Sequence, residues 1–82
     1  EVMWQQDCGA ATQSALLAIH ALGLGAVWLG FWPKKERVAP LRRVLELPEG
    51  VEPFCVLAVG HPAETKPPAG RYDPDAVHWD RW

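Results

Sequence analysis

The side chains of this 82-residue chain that could do chemistry are scattered, and no set of them has the spacing of a reactive cluster. Cys8 and Cys55 match no metal-ligand spacing, and both stand in apolar surroundings, the pattern of buried, reduced thiols in a cytoplasmic protein. His20 falls within an apolar stretch and is expected to bond a backbone carbonyl, while His61, between Gly60 and Pro62, reads as part of a turn. His78, Asp75 and Asp80 have no regular metal-ligand pattern. Lys34, Lys35, Arg37, Arg42 and Arg43 form a basic run that reads as a solvated helix face. No catalytic side chain is assigned.

What remains is the backbone. The run from Gln13 to Gly30 reads as a helix apolar on nearly all sides, a glycine stop, a short strand and a Leu29-Gly30 corner. Chemistry in such a segment falls to main-chain amides presented to something flat and aromatic. Glycine at position 30 would let a partner approach the backbone closely.

The elements that must position this corner follow from the pattern of apolar and breaking residues. A long helix is expected over about 3–23, rich in alanine and without a charged residue after Asp7, so that both its sides are covered. Asp7 near its start suits the helix dipole. Gly23 suits the left-handed position just past the helix end, with Leu24 as the apolar residue that follows. A short buried strand is expected over about 25–29. A second helix is expected over about 38–46, because Pro40 is read as belonging to a first turn. Val38, Leu41, Val44 and Leu45 form its apolar face, with Arg42 and Arg43 pointing outward. The continuous apolar run over about 53–59 reads as a central strand buried on both faces, with Pro53 tolerated only at its start. Residues 61–82 have no core periodicity and form an extended arm with an aromatic tail. The fold class is α+β, an α/β sandwich.

Length allows one domain or part of one. Hydrophobic residues make up 49% of the chain and five are tryptophan, more than so short a chain can hide, so some are expected at an interface. A net charge of −2 gives no electrostatic reason to propose nucleic acid. The apolar stretch from Ala15 to Trp28 is too short and too broken by Gly23 and Gly25 to span a membrane, and the first residues lack the form of a signal peptide.

Four pieces in order carry a resemblance to a known family. They are Gln-x-x-Leu-Leu-Ala-x-His-Ala-Leu-Gly-Leu-Gly from Gln13 to Gly25, Val27-Trp28-Leu29-Gly30, Leu47-Pro48-Glu49-Gly50-Val51 leading to Gly60, and Gly60-His61-Pro62-Ala63-Glu64 followed by Arg71-Tyr72-Asp73-Pro74. Together they resemble the C-terminal half of the FMN-dependent nitroreductase family. The resemblance implies a nitroreductase-like fold and FMN held at a homodimer interface. It also implies NAD(P)H as reductant and a small-molecule acceptor of the nitroaromatic or quinone type. It places Val27, Trp28, Leu29 and Gly30 along the flavin ring with their amides toward its polar edge. It sets Arg71 on the FMN phosphate, where a guanidinium can bind two oxygens at once, with Lys66 as a lesser candidate. Fixed amide dipoles in a dry site would stabilise the negative charge that a flavin gathers on reduction.

The resemblance also marks a gap. Family members open with an arginine-and-serine motif on the FMN phosphate and ribityl chain, which this chain lacks, and Ser14 stands where many relatives carry Asn. Residues 1–82 are therefore expected to be the C-terminal portion of a single domain, inactive alone and needing a complementing N-terminal half. The rival readings are a non-catalytic protein-interaction module and an inactive truncated remnant.

Overall fold

The computed structural model describes residues 2–82. Its elements run in the order helix α1 (Trp4–Ala21), strand β1 (Gly25–Gly30), helix α2 (Lys35–Val44), strand β2 (Cys55–Gly60) and a short 3-10 turn at Pro74–Ala76. This is a mixed α+β arrangement. β1 and β2 form a two-stranded antiparallel sheet, with Gly25 opposite Gly60, Trp28 opposite Leu57 and Gly30 opposite Cys55.

α1 lays one stripe on the sheet. Its buried or half-buried positions are Trp4, Gln5, Cys8, Gly9, Thr12, Ala15, Leu16 and Ile19, which recur every three or four residues along one side. Thr12 is its one buried residue, and its hydroxyl donates to the Cys8 carbonyl at 2.6 Å while lying 3.4 Å from the Cys55 thiol on β2. Both thiols are free and half-buried rather than enclosed. The opposite side of α1 is open and mixes Gln6, Gln13 and Ser14 with apolar residues, of which Leu17 is 62% exposed. The expectation that the helix is covered on both sides is thus met on one side only within this chain. Gly23 has φ +77°, with its N–H donating to the His20 carbonyl and that of Leu24 to Ile19. These two bonds close the helix in a Schellman turn.

α2 departs from the expected boundaries. It starts at Lys35, which puts Pro40 at its sixth residue. Proline cannot donate to the carbonyl of Glu36, but the first turn is anchored instead by Arg37 and Val38 amides donating to the Lys34 carbonyl at 2.9 Å. The helix ends at Val44, with Glu46 at φ +51° and the amides of Glu46 and Leu47 bonded to the carbonyls of Arg43 and Arg42. This is the same Schellman closure as in α1, with glutamate where glycine would cost less, so the sequence carries no stop signal there.

An aromatic cluster ties the two helices' ends to the sheet. Trp4 meets Trp32 edge-on at 5.1 Å between centroids, and Phe54 stands 6.2 Å from both Trp4 and Trp28. The interior is otherwise thin. Val38 (7% exposed) is the buried apolar side chain of α2, and no large side chain is fully enclosed among the described residues. Among the described residues β2 has β1 as its only strand neighbour, and Val59 is half exposed, so the expected burial of this strand on both faces is not supplied by them. The radius of gyration is 16.8 Å, against about 12 Å for a compact domain of this length. The accessible surface is 7280 Å², against about 4,900 Å² for a compact monomer of this mass. Among the described residues, no helix is long and apolar enough to cross a membrane.

Replacing Val38 by Ala should lower stability by about 1–2 kcal/mol, because two methyl groups leave one of the few enclosed sites. Val44→Ala, on the exposed side of the same helix, should change it by less than about 0.5 kcal/mol. Denaturant midpoints of the two variants check the contrast.

Candidate functional site

The register decides what the β1 backbone can offer. In an antiparallel pair, residues alternate between those whose N–H and C=O both face the partner strand and those whose groups both face away. The Phe31 amide donates to the Phe54 carbonyl at 3.3 Å, one step beyond the Gly30–Cys55 pair. The Gly30 carbonyl, conversely, accepts from Arg37 Nη1 at 3.0 Å, away from β2. Both observations fix the same phase. Val27 and Leu29 exchange hydrogen bonds with β2, while the N–H groups of Ala26, Trp28 and Gly30 point outward from the free edge of β1. Of the four backbone positions expected to face a ligand, Trp28 and Gly30 therefore present their amides to open space. The amides of Val27 and Leu29 are spent on the sheet.

Side chains alternate in the same register. Trp28 lies on the α1 side, against Phe54, and Leu29 and Val27 on the other. An open cleft of about 580 Å³ runs along this edge, lined by Trp28, Leu29, Gly30, Phe31, Arg37 and Pro40. Val27 is not among its walls. A Cβ built on Gly30 would meet no atom within 4 Å, so packing inside this chain gives no reason for glycine there. The space beside the Gly30 backbone is open, as it is at Gly23, Gly50, Gly60 and Gly70. Size and lining fall within the range of small-molecule clefts.

Arg37 and Pro40 were not foreseen as parts of this site. Arg37 reads in sequence as one member of a solvated basic face, and only the turn through Phe31-Trp32-Pro33 brings it back onto Gly30. Arg42 corrects the same expectation. Instead of pointing outward, it donates to the Val51 carbonyl and, at 3.1 Å, to the Pro48 carbonyl, and it pairs with Glu52 at 3.4 Å. It thereby closes the loop that leads into β2. Arg43 is exposed.

Arg71 lies on the arm, exposed, and the chain does not bring it to the β1 cleft. The beginning of the arm returns to the α1–β1 turn, where Pro62, Glu64, Thr65 and Lys66 face His20, Gly23, Leu24 and Gly25. Lys66 forms an exposed ion pair with Glu64 at 3.1 Å. Further on, Asp73 accepts from the Asp75 amide at 3.1 Å and caps the short 3-10 turn at Pro74–Ala76. His78 stacks on Trp82 at 4.2 Å. His20 is exposed and makes no side-chain hydrogen bond among the described residues, contrary to its expected bond to a carbonyl.

A model described as the nitroreductase family matches residues 2–61. The chain is 48% identical over 79 residues to a Methanothermobacter thermautotrophicus protein named as an NADH dehydrogenase/NAD(P)H nitroreductase, covering 96% of this chain and 41% of that protein. It is 36% identical over 72 residues to the FMN reductase [NAD(P)H] of Bacillus subtilis, covering 88% of this chain and 28% of that one. The crystal structure of a Bacteroides thetaiotaomicron protein, also named for NADH dehydrogenase/NAD(P)H nitroreductase, superposes with a TM-score of 0.94 at 38% identity. That match covers 100% of this chain and 49% of the other. The chain thus spans half or less of the length of each of these relatives.

Amide hydrogen exchange tests the phase of the ladder. Val27 and Leu29 should be protected, and Trp28 and Gly30 should exchange at least tenfold faster. The reverse order would shift the register by one residue and turn the wrong amides toward the cleft.

Proposed function

The chain belongs to the nitroreductase family, and from that premise we propose that it forms the C-terminal part of an FMN-dependent oxidoreductase that draws its electrons from NAD(P)H. Its role is to supply one wall of the flavin site. When bound there, FMN would supply two-electron transfer between NAD(P)H and a nitroaromatic or quinone-type acceptor. Trp28 and Gly30 donate main-chain N–H groups toward the polar edge of the ring, while Leu29, with Val27 behind it, fixes the strand that carries them. Arg71 holds the phosphate, and because it lies apart from the β1 cleft it does so across a homodimer interface or against a complementing N-terminal half. The phosphate-binding Arg-Ser motif comes from that half as well.

The observation that carries this reading is the outward phase of the Trp28 and Gly30 amides along an open cleft beside a glycine that internal packing does not require. The donors suit the cofactor: neutral amides held by a sheet can stabilise added negative charge without reorganising, and the apolar walls reduce competition from water. The name of the Bacillus subtilis relative supports FMN, and those of the other two support NAD(P)H.

A second reading, a non-catalytic interaction module, is favoured by the open side of α1 and by Trp79 and Trp82, 84% and 98% exposed. One experiment separates the two. Co-expressed with the N-terminal half of a family member, the chain should yield a complex that retains FMN and its yellow absorbance; a stable complex without flavin selects the interaction module. In the flavin-loaded complex, Arg71→Ala should weaken FMN binding by about ten- to a hundredfold, the loss expected for a charge-assisted phosphate contact. An unchanged dissociation constant would remove Arg71 from the site.

A further inference from the structure

Two arginines of α2 reach back to main-chain carbonyls. Arg42 secures a loop, but the bond made by Arg37 falls on the edge strand itself. The Gly30 carbonyl and the Phe31 N–H belong to one peptide unit. Arg37 Nη1 holds the carbonyl at 3.0 Å, and the Phe54 carbonyl accepts from the amide at 3.3 Å. This unit is therefore gripped from opposite sides, immediately after the peptide that turns the Gly30 N–H outward. Arg37 and Gly30 both line the same cleft. No carboxylate pairs with Arg37 among the described residues, so its charge is not cancelled by a partner.

We propose that Arg37 is a positioning residue of the cleft, which locks the orientation of the Gly30 N–H through the adjoining peptide and biases the site toward the more negative form of its ligand. The proposal rests on the assignment of this cleft to FMN. A main-chain donor is most effective when its direction is set before the charge arrives, and a strand edge without a neighbouring strand needs a side chain to set it.

The test compares Arg37→Met and Arg37→Lys in the complex of this chain with an N-terminal half. Arg37→Met should weaken binding of reduced FMN about tenfold more than binding of oxidised FMN, which for a two-electron couple lowers the midpoint potential by about 30 mV. Arg37→Lys, which keeps a charged donor, should recover part of that shift. Equal loss for both redox forms would reduce Arg37 to a structural tie and overturn the proposal. Hydrogen exchange at Gly30 and Phe31, measured on the chain with or without its complement, tests the grip without any flavin. Exchange at Phe31 should quicken severalfold in Arg37→Met, and unchanged rates would overturn the proposal. If wild-type complex retains no FMN while exchange at Phe31 quickens as expected, the flavin assignment fails and with it the redox bias, leaving only the peptide lock.

Discussion

The β1–β2 ladder is the constraint on which the rest of this chain depends. Six residues of each strand pair in one antiparallel register, and that register assigns every amide of β1 either to the sheet or to the outside. It also sorts the side chains. Trp28, Leu57 and Cys55 fall on the side where α1 packs, and there Thr12 bridges the helix to Cys55 and Phe54 meets Trp28 and Trp4. A slip of one residue would reverse the faces, detach the aromatic cluster and exchange the outward amides. Fold and candidate site are thus consequences of one pairing.

The surface tells how incomplete that pairing leaves the chain. An accessible area of 7280 Å² exceeds that of a compact monomer of equal mass by roughly 2,400 Å², the scale of a large obligate interface. Large apolar side chains are part of that exposed surface. It includes the outer side of α1, the outer half of β2 and the aromatic tail. Contiguous exposed apolar surface is expected to be covered in a working protein, and a solved relative of which this chain covers 49% contains the whole of this fold. The two facts agree without either depending on the other.

Arginine has two uses here that a charge count hides. Arg42 folds over the loop before β2 and satisfies the Pro48 and Val51 carbonyls, work that is structural and local. Arg37 satisfies a carbonyl that the ladder leaves unpaired at the edge of β1. A guanidinium suits both tasks because its fork of donors can reach a carbonyl and still stay partly hydrated. Five residues apart on α2, and so on different sides of the helix, Arg37 supports the candidate cleft and Arg42 the loop.

The order of helices and strands, the glycine stop at Gly23 and the identity of the Val27–Gly30 corner were legible from residue types and spacing alone, because apolar periodicity and glycine placement act over a few neighbouring residues. Family membership was legible too, from four short pieces in order. The start of α2 was not: Pro40 argued for a later one, and it was the anchoring of the first turn on the Lys34 carbonyl that let the helix begin at Lys35. Its end was hidden because Glu46 takes a left-handed conformation usually left to glycine. Nor could spacing say which of the four backbone amides were free, since that depends on a strand 25 or more residues later in the chain. The sequence by itself determined which segment is apolar, glycine-terminated and able to offer only its backbone. Tertiary structure alone decided that the amides of Trp28 and Gly30 face away from the ladder, and that Arg37 reaches the Gly30 carbonyl, because hydrogen-bond phase and the return of a side chain across a turn are properties of paired elements rather than of any one stretch.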